Sequence, residues 1–270
     1  MLKLINETAD YIKSKLDIFP KTGIILGTGL GNLATQITDK IEIPYETIPN
    51  FPVSTVEGHS GKLIIGKLGE VYVMAMQGRF HYYEGYDMKQ VTFPVRVMKA
   101  LGIENLLVSN ASGGMHPDFE IGDLMIITDH INLFPEHPLR GKNLKELGTR
   151  FPDMSEAYSK DLIAKAKTIA ANNNIKVVEG VYVGTTGPTF ETPSEYRYFR
   201  IIGGDAVGMS TVPEVIVANH AGMRCFGISI ITDLGVTGKI VEVTHEEVQE
   251  IGNKAQPLMT QIMKELVAQL

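Results

Sequence analysis

Residues 77–86, Gln-Gly-Arg-Phe-His-Tyr-Tyr-Glu-Gly-Tyr, are the stretch from which the fold of this chain is best predicted. They directly follow the apolar run 71–76, which has the character of a buried strand. Ligand sites in open α/β sheets lie just beyond the carboxyl ends of such strands. We therefore expect an α/β fold in which Arg79 and His81 hold an anion at that edge of the sheet. The alternative is a plain loop with core aromatic residues and a solvated arginine.

Two other predicted strands also end in small residues. The apolar run 22–27 leads into the glycine loop Gly27-Thr-Gly-Leu-Gly31, and the run 106–108 leads into Ser109-Asn-Ala-Ser-Gly-Gly114. Glycine-rich turns allow backbone N–H groups to converge on a ligand oxygen, so an anion is the expected ligand. A dinucleotide-binding fingerprint would need glycine at position 32, which is asparagine, and the sequence lacks the Walker motif Gly-Lys-Ser/Thr. By itself the glycine loop is equally typical of a tight turn.

Capping boxes, in which Thr is followed three residues later by Glu, predict helices that begin after Thr192, Thr211 and Thr244. Glu191 stands just before the first helix, where the partial positive charge of a helix amino terminus favours an ionised carboxylate. Ser210 stands just before the second helix, so its hydroxyl is a candidate donor to an oxyanion. Ordinary helix caps would explain the Thr and Glu residues of the boxes but not these two neighbours.

The most apolar run, residues 225–232, predicts a central strand that ends at Asp233. The segment 133–154 contains three prolines and no helical or strand periodicity, and irregular segments of this length are usually functional or interfacial. His59, in the turn 57–61, is either an exposed turn residue or a ligand contact. The sequence has neither a Cys–His cluster with metal-ligand spacing nor a Gly-x-Ser-x-Gly motif. We therefore expect neither a metal site nor a covalent nucleophile.

Composition restricts the function further. The chain has 270 residues, 44% of them hydrophobic, and a formal net charge of −6, which argues against a nucleic-acid-binding surface. Residues 1–20 have the pattern of an amphipathic helix rather than a signal peptide, and no apolar run approaches the ~18 residues of a membrane span. The single cysteine, Cys225, cannot form an internal disulfide, which favours a reducing compartment such as the cytoplasm. Because the sequence shows no linker and no repeat, we expect residues 1–270 to form one domain.

Over nearly its whole length the chain resembles the trimeric, 6-oxopurine-preferring purine nucleoside phosphorylases. The matching motifs are GTGLG (27–31), EGHSGKL (57–63), MQGRFHYYEGY (76–86), NASGG (110–114), DHINL (129–133), RFPDMSEAY (150–158), GPTFET (187–192), DAVGMSTVPEVIVA (205–218) and HEEV (245–248). The resemblance implies an α/β/α sandwich with a mixed central β-sheet. It also implies reversible phosphorolysis of purine ribo- and deoxyribonucleosides such as inosine and guanosine, in purine salvage. Inorganic phosphate would be the co-substrate, with no metal and no organic cofactor.

The resemblance also implies a role for each motif residue. The residues that would hold phosphate are Thr28, His59, Arg79, His81, Ala111 and Ser210. The residues that would contact the ribose are Tyr83, Met209, His245 and Phe151. The residues that would hold the base are Phe190, Glu191 and Asp233, and His81, Glu191 and Asp233 would be the catalytic groups. Phe151 matches a phenylalanine that family members insert into a neighbouring subunit's site, which implies a homotrimer.

Position 233 departs from the family, which usually has asparagine there. A related family, the methylthioadenosine phosphorylases, has an acidic residue in its base pocket, so phosphorolysis of 6-aminopurine nucleosides such as adenosine is the alternative function. An ionised Glu191 would accept the N1–H of a 6-oxopurine but would face a lone pair on adenine, which predicts that 6-oxopurines remain preferred. Asp233 would then need a proton to donate to N7. A nucleotide-binding regulatory or dehydrogenase domain is a third possibility, supported by the glycine loop alone.

Overall fold

The computed structural model describes residues 1–27, 31–53 and 61–270. The helices are α1 (Leu2–Lys13), α2 (Met88–Val91), α3 (Phe93–Ala100), α4 (Lys160–Asn172), α5 (Pro193–Ile201), α6 (Val212–His220) and α7 (His245–Val267). The strands are β1 (Thr22–Leu26), β2 (Ile37–Pro44), β3 (Lys62–Leu68), β4 (Val71–Gln77), β5 (Asn105–Gly114), β6 (Leu124–Asn132), β7 (Val177–Gly184), β8 (Ala206–Gly208) and β9 (Arg224–Leu234). Short 3₁₀ turns occupy residues 31–36, 45–47, 82–84 and 145–147.

Within the described residues, nine strands form one mixed sheet in the order β2-β3-β4-β1-β5-β8-β7-β6-β9. Strand β1 runs parallel to β4 and β5, whereas β2, β3 and β4 form antiparallel pairs. Strand β5 also pairs in parallel with β9, which closes β5, β8, β7, β6 and β9 into a ring. Helix α3 packs on α1 and on α6, and α4 packs on α7 against β9. The predicted mixed α/β architecture with flanking helices is confirmed, while the closed ring was not predicted.

Apolar periodicity accounts for most of these elements. Helix α1 buries Ile5, Ala9 and Ile12 on one face, and every residue of β1 is buried. Strand β9 is buried along nearly its whole length, as its continuous apolar run predicted. In the part of the chain that the structure describes, no helix has the length and apolar character needed to cross a membrane.

Helix α2 ends at Val91, and α3 begins after Thr92 with Pro94 in its first turn, where the missing N–H of proline costs no hydrogen bond. Several other elements differ from the sequence prediction. Strand β5 continues to Gly114, so the small residues 109–114 lie within a strand and not beyond its end. Strand β2 was not predicted because most of its side chains are exposed and polar, and β8 because it has three residues.

Candidate active site

A cavity of about 540 Å³ lies near the carboxyl ends of β4, β5 and β9. The sequence-predicted site residues that line it are Arg79, His81, Tyr83, Ala111, Phe190, Glu191, Met209, Ser210, Asp233 and His245. The lining residues that sequence reasoning missed include Glu84, Asn110, Ser112, Thr232 and Val248. Thr28 and His59 lie outside the described residues. The structure thus brings together motifs from six separate stretches of the chain.

Arg79 is held by a buried carboxylate. The Arg79 side chain is only 1% exposed; its Nε and Nη2 donate to the two oxygens of Glu214 at 3.1 and 2.8 Å, and its Nη1 donates to the Ser109 carbonyl at 2.6 Å. This bidentate geometry orients the guanidinium and compensates the charge of both groups. A Cβ on Gly27 would lie 2.7 Å from the Ser109 oxygen and 3.1 Å from Arg79 Nη1, so only glycine fits beside the pair.

The Arg79–Glu214 ion pair also bears on the second predicted capping box, which does not form. Thr211, the N-cap of α6, has a φ of 68° and makes no side-chain cap hydrogen bond. Glu214 pairs with Arg79 and therefore does not complete the box. The predicted helix is present, but Glu214, which was expected to complete its cap, holds the site residue Arg79.

His81 is oriented by Glu84. The backbone N–H of His81 donates to Glu84 Oε1 at 2.7 Å, and His81 Nδ1 lies 3.1 Å from the same oxygen. Because a carboxylate only accepts, Nδ1 is the protonated ring nitrogen in this contact. The imidazole also stacks on the Tyr83 ring, with centroids 4.7 Å apart. Burial lowers the pKa of His81, so the imidazole is neutral at neutral pH.

A hydrogen-bonded row of buried side chains supports the cavity floor between Ser210 and Ser112. Ser210 Oγ lies 3.2 Å from Thr211 Oγ1, to which Asn110 donates at 2.9 Å. Ser229 Oγ donates to the side-chain oxygen Oδ1 of Asn110 at 2.6 Å and lies 2.6 Å from Ser112 Oγ. These contacts join α6, β5 and β9 and hold Ser210 and the backbone of Ala111 on the same side of the cavity as Arg79.

Two carboxyls, the buried Asp233 and the half-buried Glu191, also line the cavity. Asp233 is 6% exposed; Tyr196 donates to its Oδ2 at 2.9 Å and Thr232 to its Oδ1 at 3.1 Å. Burial raises the pKa of Asp233, and the hydrogen bonds from Tyr196 and Thr232 lower it in part. Burial, together with the charges of Asp233 and Glu195, raises the pKa of Glu191 to about 7. The helix amino terminus was expected to keep Glu191 ionised, but desolvation is the stronger effect.

The remaining lining residues are more exposed. Phe190 is 42% exposed, and His245 begins α7 with its Nε2 at 3.0 Å from Gln249 Nε2. Burial raises the pKa of Tyr83 to about 12, so its phenol stays neutral. Met209 packs against Gly187, where φ is 61° and a Cβ would lie 2.2 Å from the Met209 sulfur. These side chains give the middle of the cavity an apolar and aromatic wall.

Phe151 is not among the residues that line the cavity. Its side chain is 85% exposed, and the Arg150 guanidinium lies 5.6 Å from the centre of its ring. In the described part of the chain, no group of three or more His, Cys, Asp or Glu side chains is arranged to hold a metal ion. The cavity therefore combines oriented cationic and hydroxyl donors with two carboxyls, one buried and one half-buried.

The sequence and the fold match known proteins over almost the whole chain. The model of the phosphorylase superfamily matches residues 21–268. Purine nucleoside phosphorylase 1 of Bacillus subtilis is 55% identical over 265 residues, which cover 98% of both chains, and the purine nucleoside phosphorylase of Bos taurus is 47% identical over 98% of this chain and 94% of its own.

Solved structures agree with these relatives. A crystal structure of Schistosoma mansoni purine nucleoside phosphorylase in complex with adenosine superposes with a TM-score of 0.94 at 43% identity, covering 98% of this chain and 96% of that one. A schistosoma purine nucleoside phosphorylase in complex with hypoxanthine gives a TM-score of 0.93 at the same identity and coverage. The chain therefore belongs to the phosphorylase superfamily and, within it, to the purine nucleoside phosphorylases.

Proposed function

We propose that this protein catalyses the reversible phosphorolysis of purine nucleosides such as inosine and guanosine, as a pentosyltransferase of purine salvage. One observation supports this assignment above all others. A single cavity joins an oriented cation, Arg79, and hydroxyl and backbone donors to two carboxyls, the buried Asp233 and the half-buried Glu191. The first group is suited to an inorganic oxyanion, and the second to the polar edge of a purine.

The proposed reaction uses phosphate as the nucleophile. Phosphate bound near Arg79, His81, Ala111 and Ser210 attacks C1′ as the C1′–N9 bond breaks, giving pentose 1-phosphate and the free base. The transition state has oxocarbenium character at the sugar and negative charge on the leaving purine. Oriented donors at these positions stabilise the charge as it develops. Thr28 and His59 are proposed as further phosphate contacts, and the proposal needs neither a metal nor an organic cofactor.

Glu191 and Asp233 are proposed to bind the base beside Phe190, while Tyr83, Met209 and His245 contact the sugar. An ionised Glu191 accepts the N1–H of a 6-oxopurine, which makes inosine and guanosine the expected substrates. A second candidate class, the 6-aminopurine nucleosides, is favoured by a specific observation. Both oxygens of Asp233 accept hydrogen bonds, so Asp233 is suited to remain an acceptor toward an exocyclic amine.

We further propose a homotrimer in which Phe151 enters the site of a neighbouring subunit. Its 85% exposure in one chain supports this, since an aromatic ring of that size gains by burial against a partner. The proposed place of action is the cytoplasm, where the buried thiol of Cys225 would remain reduced. Residues 1–270 are proposed to work as one domain because the sheet includes strands from residue 22 to residue 234.

The function is tested by following hypoxanthine release from inosine with and without phosphate. We expect release to require phosphate and to yield ribose 1-phosphate in equal amount. Glu191→Gln should lower kcat/KM by about 10²-fold or more, because it removes a group proposed to stabilise the leaving base. Glu250→Gln, which changes an exposed carboxylate that pairs with Lys254, is the matched control. Phosphate-independent release of ribose would show a hydrolase and contradict the proposal.

A further inference from the structure

Tyr196 contacts both cavity carboxyls, the buried Asp233 and the half-buried Glu191, although no sequence motif pointed to it. Its side chain is 4% exposed on α5; the hydroxyl donates to Asp233 Oδ2 at 2.9 Å and also interacts with the Glu191 carboxyl. Two glycines, Gly235 and Gly113, pack closely against the Tyr196 side chain. A Cβ on Gly235 would lie 2.1 Å from Tyr196 Cδ1, and one on Gly113 would lie 2.8 Å from Asp233 Oδ2 and 3.1 Å from the hydroxyl. The arrangement is therefore a close-packed part of the base end of the site.

The side-chain donors are divided unequally between the two carboxyls. A tyrosine hydroxyl has one hydrogen, and Tyr196 gives it to Asp233 at 2.9 Å; Thr232 lies 3.1 Å from the other oxygen of Asp233 and 3.3 Å from the Ser112 carbonyl. Glu191 accepts from a backbone N–H, and its nearest side-chain donor besides Tyr196 is Thr185, at a long 3.5 Å and equally far from the Gly208 carbonyl. Hydrogen bonds to a carboxylate favour its ionised form. As the pH falls, Glu191 should therefore take up a proton before Asp233 does.

The charged groups around Glu191 also favour its protonated form. Glu195 of α5 and Asp233 of β9 both raise the pKa of Glu191 through their negative charges. His245 of α7 lines the same cavity.

We propose that Tyr196 is a positioning residue that makes the choice of purine depend on pH, because it keeps Asp233 ionised and so leaves the titrating proton to Glu191. The inference rests on the proposed function. A neutral Glu191 donates to the N1 lone pair of a 6-aminopurine while ionised Asp233 accepts from the amine. An ionised Glu191 instead accepts the N1–H of a 6-oxopurine, while ionised Asp233 has no hydrogen to donate to N7, so this base class is held through its N1–H. One pocket thus binds both base classes, each in a different protonation state.

The sign of the pH dependence follows from this order. Lowering the pH protonates Glu191, so the ratio of kcat/KM for adenosine to kcat/KM for inosine should rise as the pH falls. The ratio follows the proportion of neutral to ionised Glu191, and it should change by up to about tenfold per pH unit. Since the pKa of Glu191 is raised to about 7, the change lies within the range where the protein can be assayed.

The experiment measures this ratio from about pH 5.5 to about pH 8.5, where tyrosine hydroxyls stay neutral. The dissociation constants of adenine and hypoxanthine are measured by calorimetry over the same range, so that the result does not depend on turnover. In Tyr196→Phe, Asp233 loses a donor to its charged form, and the proton shifts from Glu191 toward Asp233. We expect the adenosine-to-inosine ratio to fall roughly tenfold at each pH, the equivalent of one hydrogen bond to a charged group. Tyr198→Phe, on the same helix and 53% exposed, should match the wild type.

Three results would overturn the inference. These are a wild-type ratio that does not change with pH, a folded Tyr196→Phe variant with the wild-type ratio, and an increase of the ratio in that variant. If Tyr196→Phe does not fold, Thr232→Val removes the other donor to Asp233, and an unchanged ratio in that variant is equally decisive. Inactivity of the wild type on both nucleosides would instead refute the proposed function, and the base dissociation constants would still decide the role of Tyr196.

Discussion

Arg79 shows how far the surroundings of one residue alter its interpretation. Its position after a strand predicted that it holds an anion at the edge of the sheet. In the structure the guanidinium is 1% exposed and forms a bidentate ion pair with Glu214. A buried pair of this kind is far more sensitive to loss of one partner than to loss of both, because the remaining charge has no compensation.

Arg79→Ala should therefore reduce the free energy of unfolding by about 3–5 kcal/mol, as well as weaken phosphate use. The double variant Arg79→Ala/Glu214→Ala should lose less stability than the sum of the two single variants. Urea unfolding of the four proteins measures this coupling. Lys254→Ala, which removes an exposed ion pair with Glu250, should leave the midpoint unchanged. Strict additivity of the Arg79 and Glu214 variants would contradict the buried pair.

Cys225 offers a second test at this scale, because it is the chain's one cysteine and reports on β9. Burial raises the pKa of its thiol to about 12, and thiols react as thiolates. We expect a thiol reagent at about pH 8 to modify the folded protein very slowly and to modify one thiol per chain at once in denaturant. Rapid reaction of the folded protein would show that β9 is accessible to solvent.

At the scale of the elements, the capping boxes separate local from tertiary determinants. The boxes of α5 and α7 form as predicted: Thr192 and Thr244 each accept from the backbone N–H three residues later, and Glu195 and Glu247 each accept from the N-cap backbone. The box of α6 does not form, because Glu214 pairs with Arg79. A capping box therefore forms where its Thr and Glu have no stronger tertiary partner.

Thr192→Ala should cost about 1 kcal/mol of stability, because it removes a formed cap. It should also lower kcat/KM, since Glu191 directly precedes that cap. Ser159→Ala is the matched control, because Ser159 is the N-cap of α4 and makes no side-chain cap hydrogen bond. Thermal unfolding of both variants, with the phosphorolysis assay, measures the difference. Equal losses of stability in the two variants would argue against the cap.

At the scale of the whole molecule, the site depends on closure of the sheet. Pairing of β5 with β9 brings Ser112 next to Ser229 and places Asp233 at the level of Gly113. The long segment 133–154 contributes no residue to the chain's own cavity within the described lining, and Phe151 points away from the chain's core as an exposed ring. This combination is what a site shared between subunits requires.

Phe151→Ala should raise the KM for the nucleoside severalfold, since a buried aromatic contact contributes roughly 1–2 kcal/mol. Mixing this variant with Glu191→Gln subunits should restore activity, because a mixed assembly can pair an intact Glu191 with an intact Phe151. Ile201→Ala, which removes an apolar side chain that is 76% exposed, is the control and should change neither property. Absence of complementation in assemblies shown by mass to be mixed would contradict a shared site.

The sequence alone determined the features that depend on local pattern. Apolar periodicity predicted β1, β4, β9 and α1, glycines and small residues marked the strands that border the cavity, and two of three capping boxes formed where Thr and Glu stand three residues apart. These features follow from interactions between near neighbours in the chain, and the motifs they carry were sufficient to indicate the family and most residues of the cavity.

The tertiary structure alone decided which distant groups became partners. Arg79 and Glu214 are 135 residues apart, and Tyr196 and Asp233 are 37 residues apart, so no local pattern specifies either contact. The protonation of Glu191 likewise depends on burial and on the charge of Asp233, and the electrostatics of a helix terminus alone predicted the opposite direction. The burial of Glu191 and the pairing of these side chains depend on which surfaces come into contact when the ring of strands closes. Such long-range contacts are specified by the packing of the whole molecule and not by any local sequence pattern.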